Sequence, residues 1–127
     1  MSMIIDGTNG LTFNDSTTQT KGGLTGSTSQ LCKAWVSYNG SGQAIRGSYN
    51  VSSVTYTAST VYTINFTTAF ANANYCAVAM SSNGSTSAGN LPYIYSTSAG
   101  GQDPTTTTLR ITTSVNNPLW VNVAVFS

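Results

Sequence analysis

The sequence contains no histidine and no glutamate; two lysines, two arginines and three aspartates are its whole complement of charge in 127 residues. Charged residues make up 6% of the chain, against about one-quarter in an average globular domain. Without histidine, a Ser–His or Cys–His nucleophile pair cannot be assembled within one chain. A glycosidase of the usual kind needs two carboxyl groups roughly 5–10 Å apart. Only Asp6, Asp15 and Asp103 offer side-chain carboxylates. Asp6 and Asp15 fall in the N-terminal segment, and Asp103 precedes Pro104 in a pattern that initiates turns. The expectation is a protein that is not an enzyme and uses no cofactor.

Other scarcities exclude further classes. Cys32 and Cys76 are the only cysteines, two ligands short of a zinc site, so no metal is expected. Both lie in strand-like runs and read as buried free thiols, with a disulfide as the alternative. A net charge of +1 provides no cluster of cations to neutralise a phosphate backbone, so no nucleic-acid partner is expected. The longest apolar stretch, Leu119 to Phe126, is interrupted by Asn122 and falls well short of the ~20 residues of a membrane-spanning helix, so no membrane insertion is expected. Met1 to Asp6 lack the basic start and apolar core of a secretory leader, so export by that route is not expected.

What the chain does have is 18 serines, 21 threonines, 12 asparagines and 12 glycines. Hydrophobic residues nevertheless reach 39%, with seven Tyr, four Phe and two Trp, too many for disorder. A chain of this length holds one domain able to bury about two-thirds of its unfolded surface. Residues 1–30 carry Met1, Met3, Ile4, Ile5, Leu11, Phe13 and Leu24 among Gly, Thr, Asn and Ser, too few to make a core. They read as an extended N-terminal arm in which Ile4-Ile5 and Leu11-Thr12-Phe13 pair around a Gly7–Gly10 turn.

Residues 31–127 read as a run of short strands. Cys32–Tyr38 and Gln43–Tyr49 flank the Asn39-Gly40-Ser41-Gly42 turn. Val51–Tyr56 and Thr60–Thr67 follow, the latter alternating Tyr62, Ile64 and Phe66 with Val61, Thr63 and Asn65. Tyr75–Met80 is expected as a central strand. Tyr93–Thr97 lies between two polar loops, 83–90 and 98–104. Thr105–Thr113 and Leu119–Phe126 are expected to pair around Asn116-Asn117-Pro118, with Leu119, Val121, Val123 and Val125 in the core. No helical periodicity is present. The pattern predicts an all-β fold, an antiparallel jelly-roll-like β-sandwich of about seven to nine strands preceded by the arm.

Two passages resemble a known family. Residues 7–20, Gly7-Thr8-Asn9-Gly10-Leu11-Thr12-Phe13 and onward, are similar to a polar passage common in bacteriophage tail fibres and related appendages. Residues 34–40, 44–53 and 62–75, with Ala34-Trp35-Val36-Ser37-Tyr38 and Tyr62-Thr63-Ile64-Asn65-Phe66, are similar to a distal module of tailed-phage fibres; together the passages cover 45 of the 127 residues. The resemblance implies a virion structural protein, usually trimeric, with other virion proteins of the capsid or tail as partners. Neither the large attachment domain nor the long shaft of a typical tail fibre is represented, which leaves a short appendage and a head-decorating protein both open.

Within that frame Met3, Ile4, Ile5, Leu11 and Phe13 are the candidate virion anchors, since the arm cannot bury them itself. Strand edges faced with Thr and Ser offer a surface for a neighbouring copy. The alternative role is a fibre-tip receptor-binding module for host surface glycans. Its candidate residues are Tyr93 and Tyr95, which project on one face at i and i+2, with Asn83, Asn90, Gln102 and Asp103 in the adjoining loops. Trp35 and Trp120 read as core or subunit-interface residues. Asn-x-Ser/Thr triplets at Asn39, Asn50, Asn65 and Asn83 read as chance in so polar a chain.

Overall fold

Runs of β-branched and aromatic residues cut by Gly, Asn and Ser fold into strands because each run has one apolar side to bury. A computed structural model of the chain describes residues 31–82 and 91–127, together with Ser16 and three short strands near the start. These are β1 (Ile4–Asp6), β2 (Gly10–Thr12) and β3 (Thr18–Gln19), an antiparallel sheet in which Ile5 faces Leu11 across the β1–β2 pair. The expected pairing of Ile4-Ile5 with Leu11-Thr12 is thus present, and β3 adds a strand the sequence reading lacks.

The remaining strands are β4 (Cys32–Tyr38), β5 (Ile45–Tyr49), β6 (Val51–Ala58), β7 (Val61–Phe66), β8 (Cys76–Ser81), β9 (Tyr93–Ile94), β10 (Thr108–Thr112) and β11 (Val121–Phe126). They form two antiparallel four-stranded sheets, ordered β5-β4-β11-β8 and β6-β7-β10-β9. Hairpins β4–β5 and β6–β7 stay within a sheet, while the first and last strands of the sandwich, β4 and β11, lie side by side. The fold is an all-β antiparallel sandwich.

Its core is filled from both sheets. Ala34, Val36 and Tyr38 of β4 and Val121, Val123 and Val125 of β11 meet Tyr62, Ile64 and Phe66 of β7 and Leu109 and Ile111 of β10. Burying each large aliphatic side chain stabilises the fold by roughly 1.5–3 kcal/mol before entropy is counted. The Tyr38 and Tyr62 rings meet edge-on with centroids 5.5 Å apart. The Tyr38 hydroxyl is enclosed without a hydrogen-bond partner, and that of Tyr62 approaches the Asn117 backbone and Thr113 without a well-formed bond. Burial pushes both phenols above their ordinary range.

Four expectations are corrected. The strand at 76–81 is not central: β8 pairs only with β11 and ends the sheet, and its outward side carries the exposed Val78 and Met80, so its second apolar side is not a sign of a central position. β10 and β11 do not form a hairpin. The 113–120 connection crosses between the sheets, held at the β4–β5 turn where the carbonyl of the buried Pro118 accepts from the Gly40 N–H at 2.8 Å, so β10 pairs with β7 and β11 with β4. Leu119 precedes β11 and is exposed rather than in the core. The strand expected at 93–97 ends at Ile94, and Thr97–Ala99 forms one turn of 3-10 helix closed by Gly100 at φ +81°.

Asn50 stands where the chain leaves β5 and enters β6 of the other sheet. It adopts φ +54°, which asparagine tolerates better than most residues. Its Nδ2 donates to the carbonyls of Lys33 and Thr68, each at 3.2 Å, and its Oδ1 accepts from the Thr68 N–H at 2.7 Å. One side chain therefore ties the start of β4 to the end of β7. Replacing it with alanine removes these bonds and leaves the strained backbone. Asn50→Ala is expected to lower stability by about 2–3 kcal/mol, with Asn50→Gly intermediate, read from urea midpoints at constant slope.

Tyr75 donates its hydroxyl to the carbonyls of Thr105 and Thr108, each at 3.1 Å, and burial pushes its pKa up to about 12. A raised phenol pKa means that the folded state disfavours the ionised form. Its contribution is complete below the ordinary value of 10.0 and is lost as pH rises towards about 12. With no imidazole to titrate, thermal stability is expected to be nearly flat from about pH 5 to 8 and to fall above pH 10, measured by melting curves across that range.

Candidate functional site

Tyrosines beside a polar loop make 93–104 a candidate surface. β9 lies at a sheet edge, with Tyr93 opposite Thr112 and Ile94 opposite the buried Ile111. Cross-strand partners share a face, so Ile94 lies on the inner side and Tyr93 and Tyr95 on the outer. The Tyr95 N–H extends the pairing to the Arg110 carbonyl at 3.0 Å. The loop then folds back: Gly101 N–H donates to Ser96 O and Gln102 N–H to Tyr95 O. A Cβ at Gly101 would collide with the Tyr95 ring and carbonyl, so only glycine lets the backbone pass there.

The two tyrosines consequently differ. Tyr93 is 56% exposed, whereas Tyr95 is half-buried as the wall on which its own loop rests. Asp103 accepts from the Thr97 N–H and hydroxyl, all at 2.9 Å, and these bonds hold its carboxyl below the usual range. Tyr95, Gln102 and Asp103 thus share one loop. Asn83 and Asn90 lie outside the described residues. Met3 and Phe13 do as well, while Ile4, Ile5 and Leu11 lie on the paired strands β1 and β2.

A second surface is the outer side of β5-β4-β11-β8. Register places Tyr49, Trp35, Ala124 and Val78 in one row across the sheet, and Gly47, Ser37, Asn122 and Met80 in the next. The small Ala124 leaves a groove of about 400 Å³ between Trp35 on one side and Val78 and Met80 on the other, with Ser37 and Asn122 at its floor. Met80 is 74% exposed and Trp35 43%. The Trp35 ring lies over Gly47, where an added Cβ would come within 3.3 Å of it. Trp120, 49% exposed, carries the Arg46 guanidinium 3.7 Å above its ring.

Neither tryptophan is in the core, which removes half of the sequence expectation for them. The alternation in Cys32–Tyr38 contained the signal: Trp35 shares its side with Lys33 and Ser37, while Ala34, Val36 and Tyr38 are apolar throughout. Val78 and Met80 were legible only as one of two apolar sides of a strand, with no indication of which faces the solvent.

The outer side of β6-β7-β10-β9 is different again. Its hydroxyls and amides bond to one another: Thr57 with Thr63 at 2.7 Å, Asn65 to Ser53 at 3.0 Å and to Thr55 at 3.3 Å, and Ser52 to the Asn65 carbonyl at 3.1 Å. The Asn65 amide is committed to these bonds, as the Asn50 amide is to the carbonyls of Lys33 and Thr68.

Both described cysteines are free. Cys32 is half-buried, with its thiol donating to the Ala34 carbonyl, but Cys76 is exposed, because it falls on the outward side of the edge strand. Phe126 of β11 is paired with both. Two strand spacings, roughly 9–10 Å, separate the thiols' backbones and preclude a bond between them. Among the described residues no three His, Cys, Asp or Glu side chains cluster as metal ligands, and no helix is long and apolar enough to cross a membrane. Comparison of the chain with protein-family models, with curated proteins and with solved structures finds no match.

Proposed function

We propose that this chain is a non-catalytic structural protein of a bacteriophage particle, a homotrimeric short fibre-like or head-decorating module joined to other virion proteins through residues 1–30. The observation that carries this reading is the self-paired polar lattice on the outer side of β6-β7-β10-β9. Hydroxyls and amides already bonded to each other lose little when covered by protein, whereas isolated charges lose a great deal. A sandwich faced in this way packs against neighbours at low desolvation cost. Asp103, the one carboxylate among the described side chains, is held by Thr97.

The exposed Tyr93 beside a glycine-rich loop favours one further reading, a fibre tip that holds host glycans. In that role Tyr93 stacks on a sugar while Gln102 and Asp103 supply hydrogen bonds.

Immunogold labelling of purified particles from the encoding phage is expected to decorate the virion, and a variant lacking residues 1–30 is expected to be absent from it. Unlabelled particles, or a truncated protein that still co-purifies, contradict the particle role or the anchor respectively. On a glycan array, binding that disappears in a folded Tyr93→Ala variant supports the fibre-tip reading, and an array with no signal for the intact protein removes it. Tyr93→Ala is expected to change stability by less than about 0.5 kcal/mol, since the ring is largely in solvent.

A further inference from the structure

The outer side of β5-β4-β11-β8 is unlike the rest of the surface. Tyr49, Trp35, Val78, Met80 and Trp120 are all exposed there or at its border. Together they leave on the order of 500 Å² of apolar surface in water, near the top of the ~300–600 Å² a monomer usually carries. That is already more than half of the roughly 800 Å² per partner in a stable interface, before Ser37, Asn122 and Ala124 are added. Trp, Tyr, Met and Arg are also the residue types that protein interfaces concentrate.

The face is divided. Its aromatic side is Tyr49 and Trp35 on β5 and β4; its aliphatic side is Val78 and Met80 on edge strand β8, with the groove between them. The two sides are chemically complementary, because an unbranched thioether packs well against an aromatic ring. Charge does not oppose contact between copies. Lys33 and Arg46 are the only charged residues on the four strands, and Arg46 lies on the Trp120 ring. The groove walls are apolar, which favours a protein side chain over a sugar as occupant.

We infer that a second copy of this chain covers this face, the Val78–Met80 edge of one protomer packing into the groove beside Trp35 of the next. Repeated head to tail around an axis, such a contact closes as a ring; made reciprocally between two copies, it gives a two-fold pair. Closure at three rests on the trimeric reading above; the interface itself does not.

Sedimentation equilibrium of the full chain is expected to give three times the 13.2 kDa chain mass. Met80→Glu and Val78→Lys, both at exposed positions, are expected to raise the dissociation constant at least about 30-fold while leaving the circular dichroism spectrum and melting cooperativity intact. Ser41→Glu, at an exposed position in the turn between β4 and β5, serves as the control and is expected to leave the assembly unchanged. Tryptophan emission is expected to move to the red as the Met80→Glu variant dissociates. A single-chain mass at all concentrations, an assembly indifferent to both face variants, or one dissolved equally by Ser41→Glu overturns the inference. A two-chain species sensitive to Met80→Glu supports the interface and overturns the three-fold reading. Absence from particles alongside an intact trimer counts against the particle role alone.

Discussion

Face-to-face packing of two sheets over a neutral core is the constraint on which the molecule depends. With seven charged residues in the chain, ion pairs contribute little, and cohesion rests on β11's three valines, β4's Val36 and Tyr38, and the β7 and β10 residues that meet them. The connections serve that packing. Asn50 joins the sheets at one corner, and the bond from Gly40 to the Pro118 carbonyl closes another. Even the enclosed phenols of Tyr38 and Tyr62 follow from it: large rings are needed to fill the space between sheets, and their hydroxyls are carried inside with them.

Much of this was legible in the residues. Period-two alternation in Val61–Phe66 identified both the strand and its buried side, and the Asn39–Gly42 turn identified the β4–β5 hairpin. Sheet membership was not legible, because the turn at Asn116-Asn117-Pro118 looks the same whether the next strand pairs alongside or crosses over. What decides it is long-range: Gly40 and Pro118 are far apart in sequence yet bonded. Likewise, Tyr75–Met80 is apolar on both sides, and periodicity alone cannot separate a central strand from an edge whose outer side is bare.

The candidate surface was less legible than the fold. Tyr95 carries the same side chain as Tyr93, but its environment is set by Gly101, six residues on, whose backbone occupies the space beside the ring. Asp103 reads as a free acid in sequence and is a loop clamp in structure. Polarity without charge has a similar double meaning. On β6 and β7 it denotes groups bonded to one another, while on β4 and β11 Ser37 and Asn122 line the floor of an apolar groove.

The Trp35 ring over Gly47 joins two roles in one residue. Glycine weakens an edge strand, and an aromatic ring laid across it restores shelter to the bare backbone. The same ring forms a wall of the groove. Any mutational path that erodes the outward aromatic surface therefore also loosens β5. The surface and the fold are inherited as a unit, and drift at position 35 is restrained from two directions at once.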